Sequence, residues 1–120
     1  MKTIKSLSIL FLLFIQPVFA QLEPSNTNIF TSKLKEAIRN DNYSYLEEFF
    51  TKNPNLINER FDGKSLIIHS AILNKPEMIR LFFTLGVDIN TRCEEGYSPE
   101  EHAMYNNSIN ALAEIIVIKA

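Results

Sequence analysis

The two histidines, His69 and His102, are the residues best suited to bind a metal or to transfer a proton. They lie far apart in the sequence, on different predicted helices. Neighbouring packed helices are separated by about 8 to 10 Å, whereas two ligands of one zinc ion must each lie about 2 Å from it. The sequence contains no HxxxH or CxxC pattern. We therefore predict no metal site and expect both histidines to line a surface groove.

Paired carboxylates are the other candidates for catalysis, at Glu47-Glu48, Glu94-Glu95 and Glu100-Glu101. Acid/base catalysis needs surroundings that separate the pKa values of two groups, and nothing in the sequence indicates such a pocket. A nucleophile elbow and a glycine-rich phosphate loop are absent as well. The prediction is that the chain is not an enzyme and binds no cofactor; an enzyme would need polar groups that converge in a pocket.

Cys93 is the single cysteine of the chain, so an internal disulfide is excluded. Two interpretations stay open at this point. The thiol is either a small buried apolar residue or a reactive, intermolecular one.

The first twenty residues have the pattern of a secretory signal peptide. Lys2 and Lys5 precede the apolar run 7–15, and small residues stand at Val18 and Ala20. The apolar run is shorter than the roughly 20 residues of a membrane-spanning helix. We predict cleavage before Gln21 and export, to the periplasm if the source is bacterial and otherwise by secretion, without stable membrane insertion after cleavage. An uncleaved, membrane-tethered structural protein is the alternative.

The charge balance excludes a strongly basic surface for binding nucleic acid, because the whole chain has 12 basic and 14 acidic residues. Cleavage of the predicted signal peptide removes Lys2 and Lys5 and leaves 10 basic residues against 14 acidic ones. The net charge of the cleaved chain is then −4. The polar segment 21–30, which contains Pro24, is predicted to be a flexible leader. The rest of the chain is long enough for one small domain.

Residues 31–120 alternate short helical patterns with turns, and no strand pattern is convincing. Apolar residues recur at helical spacing in 32–40, 45–50 and 78–85. Pro76 suits a first helical turn, and Gly86 suits the left-handed residue after a helix. Ser98 with Glu101 forms the sequence pattern of a capping box. These signals predict an all-α fold of six short helices in three pairs.

A 33-residue offset relates two segments of the chain. It links Gly63 to Gly96, Ser65 to Ser98, His69 to His102 and Asn74 to Asn107. A helix pair that repeats with this period has the spacing of ankyrin repeats. The stretch "DGKSLIIHSAILNKPEMIRLFFTLGVDIN" (62–90) resembles one complete ankyrin repeat without a gap, and "EGYSPEEHA" (95–103) resembles the opening of another.

This resemblance implies a solenoid of about three repeats, at about 31–61, 62–94 and 95–120, with the last one serving as a terminal cap. The chain also departs from the family pattern. Leu66-Ile67-Ile68 and Pro99-Glu100-Glu101 stand where the family has Pro-Leu-His, so the histidine that ties adjacent turns together is missing. The turns are therefore expected to be looser than in a consensus array.

Ankyrin repeats bind other proteins through the fingers between repeats and the groove of the first helices, so the resemblance implies an unidentified protein partner. The implied binding residues are Glu59, Arg60, Phe61, Lys64, His69, Leu73, Arg92, Glu94, Glu95, Tyr97, His102 and Tyr105. Phe61 and Tyr97 are the expected anchors, because aromatic residues dominate binding energetics. The alternative for each is that it packs on its own turn.

The expected function is that of an exported protein-protein interaction module, with an inhibitor or immunity protein against an envelope-targeted toxin or hydrolase as one version of it. An accessory or scaffold protein for a periplasmic enzyme is an alternative. The C-terminal helix carries the run Ile115 to Ile118, which cannot be fully covered by the preceding repeat. That surface is expected either to cap the domain or to bind a partner or a second copy.

Overall fold

The computed structural model describes residues 28–120, and most of them are helical. The predicted signal peptide and residues 21–27 of the predicted leader lie outside this range. The contacts divide the chain into two units. Residues 34–120 form one of them, and residues 28–33 belong to the other. The helices are α1 (28–39), α2 (Tyr43–Lys52), α3 (Leu66–Ile72), α4 (Pro76–Thr84), α5 (Pro99–Tyr105) and α6 (Ile109–Lys119), with a 3₁₀ turn at Pro54–Leu56 after α2.

The predicted all-α class is confirmed for the described residues, which contain six α-helices and one isolated β-bridge. The predicted leader, by contrast, is too long, because residues 28–30 are already helical. Phe30 is half-buried and stands four residues before the buried Leu34, which stands four before the buried Ile38. The apolar face of α1 therefore continues one turn further towards the N-terminus than the predicted leader allows.

The helix starts follow the signals in the sequence. Ser65 accepts a hydrogen bond from the backbone N–H of Ile68, at 3.2 Å, and begins α3. The capping box before α5 is confirmed, because Ser98 Oγ accepts from the N–H of Glu101 while the Glu101 carboxylate accepts from the N–H of Ser98. Such bonds satisfy N–H groups that a helix start leaves without partners.

The corners between paired helices repeat with the offset found in the sequence. Asp41, Asn74 and Asn107 have left-handed backbones, with φ of 56°, 57° and 58°. The residue after each corner donates its N–H to a carbonyl five residues back, over 2.9, 2.9 and 2.8 Å. Asparagine and aspartate tolerate this conformation better than other non-glycine residues.

The core lies between the helix pairs and centres on α3. This helix packs against its partner α4 and against α5, and α6 packs against both α4 and α5. Every residue from Leu66 to Ala71 is buried. On the other side of α4, the ring of Phe82 meets the ring of Phe50 edge to face, with centroids 6.0 Å apart. A helix buried around most of its circumference needs neighbours on several sides, and α3 has them.

Side-chain bonds from one corner to the next helix pair fix how the pairs align. Asn74 Oδ1 accepts a hydrogen bond from the N–H of Ala111 in the first turn of α6, at 3.0 Å. Ser108 donates its hydroxyl to the carbonyl of Ile72, at 3.3 Å. Ser108 makes no side-chain cap of its own at the start of α6. Asn74 therefore supplies from the preceding pair the cap that α6 lacks.

Asn74→Ala is expected to lower the free energy of unfolding by about 2 kcal/mol, half from the strained left-handed backbone and half from the lost cap. Asn107→Ala is the matched control. Asn107 has the same φ within a degree, and its side chain makes no hydrogen bond within the described residues, so its loss should be about 1 kcal/mol. Urea unfolding of both variants measures the difference. Equal losses would show that the bond to Ala111 adds nothing.

Candidate functional site

Two short turns project between the helix pairs, and they differ by one residue in length. In the first, Phe61 and Lys64 form a β-bridge around Asp62 and Gly63, both with positive φ (59° and 75°). This is the geometry of a two-residue type I′ hairpin. In the second, Cys93 N–H donates to the carbonyl of Tyr97 across a three-residue loop that ends in Gly96, with φ of 90°.

The two hairpins contact each other at Gly63. Glu94 donates its backbone N–H to the carbonyl of Gly63, at 3.3 Å. A Cβ added to Gly63 would lie 2.7 Å from the carboxyl carbon of Glu94, so the Glu94 side chain covers this glycine. Arginines close both turns, since Arg60 donates to the carbonyl of Gly63 and Arg92 to that of Gly96. These contacts connect the two hairpins to each other and close each turn on itself.

His69 is the side chain that ties down the first hairpin. It is 5 % exposed, and its Nε2–H donates to the carbonyl of Phe61, which accepts from the N–H of Lys64 as well. His69 was expected to line a surface groove; it is one of the residues that line the cleft beside α3, although it is mostly buried.

Phe61 was expected to be an exposed anchor, and the structure corrects this. Its exposed fraction is 8 %, whereas Tyr97 in the second hairpin is 48 % exposed. The sequence could not separate these two aromatic residues, because each follows an arginine-containing segment at an apparent hairpin. Burial assigns Phe61 to the core and leaves Tyr97 as an exposed aromatic ring.

His102 follows His69 by the 33-residue offset but forms different contacts. Its Nε2 is buried without a hydrogen-bond partner among the described residues, and its ring meets that of Tyr97 nearly at right angles, with centroids 6.0 Å apart. Cys93 begins this hairpin as Phe61 begins the first. Within residues 28–120 its carbonyl accepts only from the N–H of Gly96, whereas the carbonyl of Phe61 accepts both from a backbone N–H and from His69.

A cleft of 190 Å³ runs between α1 and α3 beside the first hairpin. Lys35 and Arg39 come from α1, and Asp62 and Lys64 from the hairpin. Lys35 Nζ lies 3.0 Å from the Asp62 carboxylate, and this ion pair holds the pKa of Asp62 below its ordinary value. Leu73, Ile72 and His69 complete the wall.

A second cleft, of 380 Å³, occupies the equivalent place beside α5 and the second hairpin. Tyr97 and Tyr105 give it aromatic walls, and Tyr105 is 89 % exposed. Glu95 and Glu101 add two carboxylates. The Glu101 carboxylate accepts a hydrogen bond from the N–H of Ser98 and forms an ion pair with Arg92 at 3.3 Å. Within residues 28–120 the side chain of Glu95 is bonded only by the Cys93 thiol, at 3.4 Å.

The sequence-predicted binding residues thus divide into three groups. The clefts bring together seven of them, Lys64, His69, Leu73, Glu95, Tyr97, His102 and Tyr105. The hairpin residues Glu59, Arg60, Arg92 and Glu94 are exposed outside the clefts, and Phe61 is buried.

Lys35 and Arg39 of α1 were missed as residues of the site. The offset between repeats could have found Arg39, because Arg39, Ile72 and Tyr105 are successive positions at that offset. All three line a cleft. No comparable signal marks Lys35.

Cys93 is 4 % exposed, which favours the interpretation as a packed residue over that of a reactive thiol. Within residues 28–120 no group of three or more His, Cys, Asp or Glu side chains is arranged to hold a metal ion. None of the helices in this range is long and apolar enough to span a membrane.

Comparisons with protein-family models, with curated proteins and with solved structures found no match for this chain.

Stability should fall as the pH decreases from 7.5 to 5.5, because burial lowers the pKa of His69 below its ordinary value of 6.5. As the pH falls, His69 is protonated in the unfolded chain while it stays neutral in the folded chain. The stabilisation is therefore present above about pH 6.5 and is lost as the pH falls below that value. His69→Gln should flatten this dependence in urea unfolding. His102, whose pKa burial also lowers, is less enclosed, so His102→Gln is the control and should flatten it less. Equal slopes for wild type and His69→Gln would contradict the assignment.

Proposed function

We propose that residues 31–120 form an ankyrin-type stack of about three helix pairs that acts as a protein-binding module. The observation that carries the proposal is the recurrence of one corner geometry at Asp41, Asn74 and Asn107, which are evenly spaced along the chain. The packing of α3 beside α5 and of α4 beside α6 supports it as well. In such a stack each pair buries its apolar face against its neighbours.

The binding surface consists of the two hairpins and the clefts beside α3 and α5. Tyr97 and Tyr105 are the strongest candidates for anchors, since both are exposed aromatic side chains in one cleft. Aromatic residues contribute most to binding when a partner covers them, and these two contribute little to the core. Protein binding is favoured over catalysis because the carboxylates of Asp62, Glu95 and Glu101 in the clefts are exposed to solvent, which does not separate their pKa values as acid/base catalysis requires.

The signal-peptide pattern supports export, and with it two roles for the module. One is an inhibitor or immunity protein that neutralises a toxin or hydrolase in the envelope; the other is an accessory or scaffold protein for a periplasmic enzyme. An adjacent toxin or hydrolase gene would favour the first. A membrane-tethered protein with an uncleaved signal is the remaining alternative, and mass spectrometry of the N-terminus would exclude it by finding a chain that begins at Gln21.

Tyr97→Ala combined with Tyr105→Ala is expected to reduce capture of the partner at least tenfold, because one tenfold step corresponds to the loss of about 1.4 kcal/mol. The thermal midpoint should change little, since both rings are exposed. Capture from envelope extract, quantified by mass spectrometry, measures the effect.

Tyr45→Ala is the matched control, because Tyr45 is a 38 % exposed tyrosine on α2, away from both clefts. It should leave capture unchanged. The proposed surface would be wrong if the double variant captured the same proteins in the same amounts as wild type.

A second surface lies on α6. Its exposed side carries Ile109, Ala113, Ile116 and Val117, with the three larger side chains 68 %, 56 % and 68 % exposed. We propose that this face pairs two copies of the chain. The small Ala113 lies in the middle of the stripe, so two antiparallel helices related by a two-fold axis could approach closely there.

Val117→Lys should therefore abolish dimer formation, because it places a charge in an apolar contact. Sedimentation equilibrium over a range of protein concentrations measures the mass of both forms. Tyr45→Lys adds the same charge on α2 and should leave the mass of the wild-type dimer unchanged. A wild-type chain that is monomeric at every concentration tested would disprove the pairing.

A further inference from the structure

The two clefts occupy equivalent positions one repeat apart but differ in charge. Asp62 and Glu95 are equivalent acidic residues of the two hairpins, separated by the 33-residue offset. Lys64 of the first cleft is replaced by Tyr97 in the second, and Ile72 is replaced by Tyr105. Equivalent positions of the two helix pairs therefore present two chemically different sites.

The first cleft is positive. Three basic side chains, Lys35, Arg39 and Lys64, face one carboxylate, that of Asp62. The Lys35–Asp62 ion pair removes one charge of each sign. Arg39 makes no ion pair within residues 28–120, and Lys64 Nζ reaches only the backbone carbonyl of Asp62, at 3.4 Å. In the described part of the chain, two positive charges are therefore left without a carboxylate partner.

The second cleft is negative and aromatic. No lysine or arginine is among the described residues that line it. The charge of Glu101 is partly matched by Arg92 from outside the cleft. Glu95, in contrast, makes no ion pair within residues 28–120, and it lies in the same cleft as the exposed rings of Tyr97 and Tyr105. A carboxylate beside two aromatic rings suits a guanidinium or ammonium group, because such a cation is attracted by both.

We propose that the two clefts together bind a protein segment that carries an acidic side chain for the first cleft and a basic side chain for the second. This inference rests on the proposed protein-binding function and specifies the partner's charge pattern. The carboxylate of the segment is attracted by Arg39 and Lys64, and its basic group by Glu95 and the two tyrosines. A segment with a single sign of charge is repelled at one of the two clefts.

The helix spacing sets the distance between the two partner charges. α3 and α5 pack side by side, and packed helices lie about 8 to 10 Å apart. In a helical segment, seven residues span about 10 Å, since each residue adds about 1.5 Å. One acidic and one basic residue seven positions apart on a helix therefore match the two clefts.

The test uses labelled helical peptides based on alanine and glutamine and measures their fluorescence anisotropy with the purified chain. One peptide carries a glutamate and an arginine seven positions apart, and two others carry two glutamates or two arginines. The mixed peptide is expected to bind roughly fivefold more tightly than either of the others, the effect expected when one solvent-exposed ion pair replaces one like-charge contact. The preference should vanish at about 1 M salt, where the screening length falls to about 3 Å.

Charge-neutralising variants assign each contact. Glu95→Gln should make the mixed peptide bind no more tightly than the two-glutamate peptide. Arg39→Gln should make the mixed peptide bind no more tightly than the two-arginine peptide. Glu47→Gln is the control, because Glu47 is an exposed carboxylate of α2 that makes no ion pair within residues 28–120. It should leave both ratios unchanged.

Three results would overturn the inference: equal binding of the three peptides, no saturable binding of the mixed peptide, or a preference that neither cleft variant alters. The proposed function fails on a different measurement. If partner capture still depends on Tyr97 and Tyr105 while the peptides show no charge preference, the protein-binding surface stands and only its charge pattern is wrong.

Discussion

The left-handed corner between two paired helices is the constraint on which the rest of this structure depends. At Asp41, Asn74 and Asn107 the chain reverses direction in a short turn, and the same backbone hydrogen bond closes each corner. A fixed corner gives each helix pair the same geometry, so that one pair can pack against the next. Where the pairs pack, α3 becomes buried and the hairpins between pairs come close enough for Glu94 to cover Gly63.

A corner that uses asparagine or aspartate has a consequence that glycine could not provide. Glycine would adopt the same φ with less strain, but it has no side chain. Asn74 uses its amide oxygen to cap α6, whose own Ser108 makes no cap bond. The Asp41 carboxylate forms an ion pair with Nζ of Lys75, which follows the next corner, at 3.1 Å. The same residues thus reverse the chain and connect neighbouring pairs, which a short domain without an internal disulfide needs.

The helices could be predicted from the sequence because their signals are local. Ser98 and Glu101 lie three residues apart, and apolar spacing alone locates the buried face of α4. The site was harder to predict because burial is a property of the whole fold. Phe61 and Tyr97 have similar local sequences, yet one is buried and the other exposed. Arg39 was missed because its importance appears only when α1 and α3 line one cleft.

The two hairpins differ by one loop residue although the corners around them stay 33 residues apart, and the equivalent histidines beside them make different contacts. In the two-residue hairpin the carbonyl of Phe61 points to His69, and that bond holds the imidazole inside the fold. In the three-residue hairpin the carbonyl of Cys93 accepts only from the N–H of Gly96 among the described residues, and the ring of His102 packs on Tyr97 instead. Tyr97 and Glu95 then stand open to solvent beside the cleft. Helix pairs with the same corner geometry can thus carry turns of different length, and the turn determines which side chains face solvent.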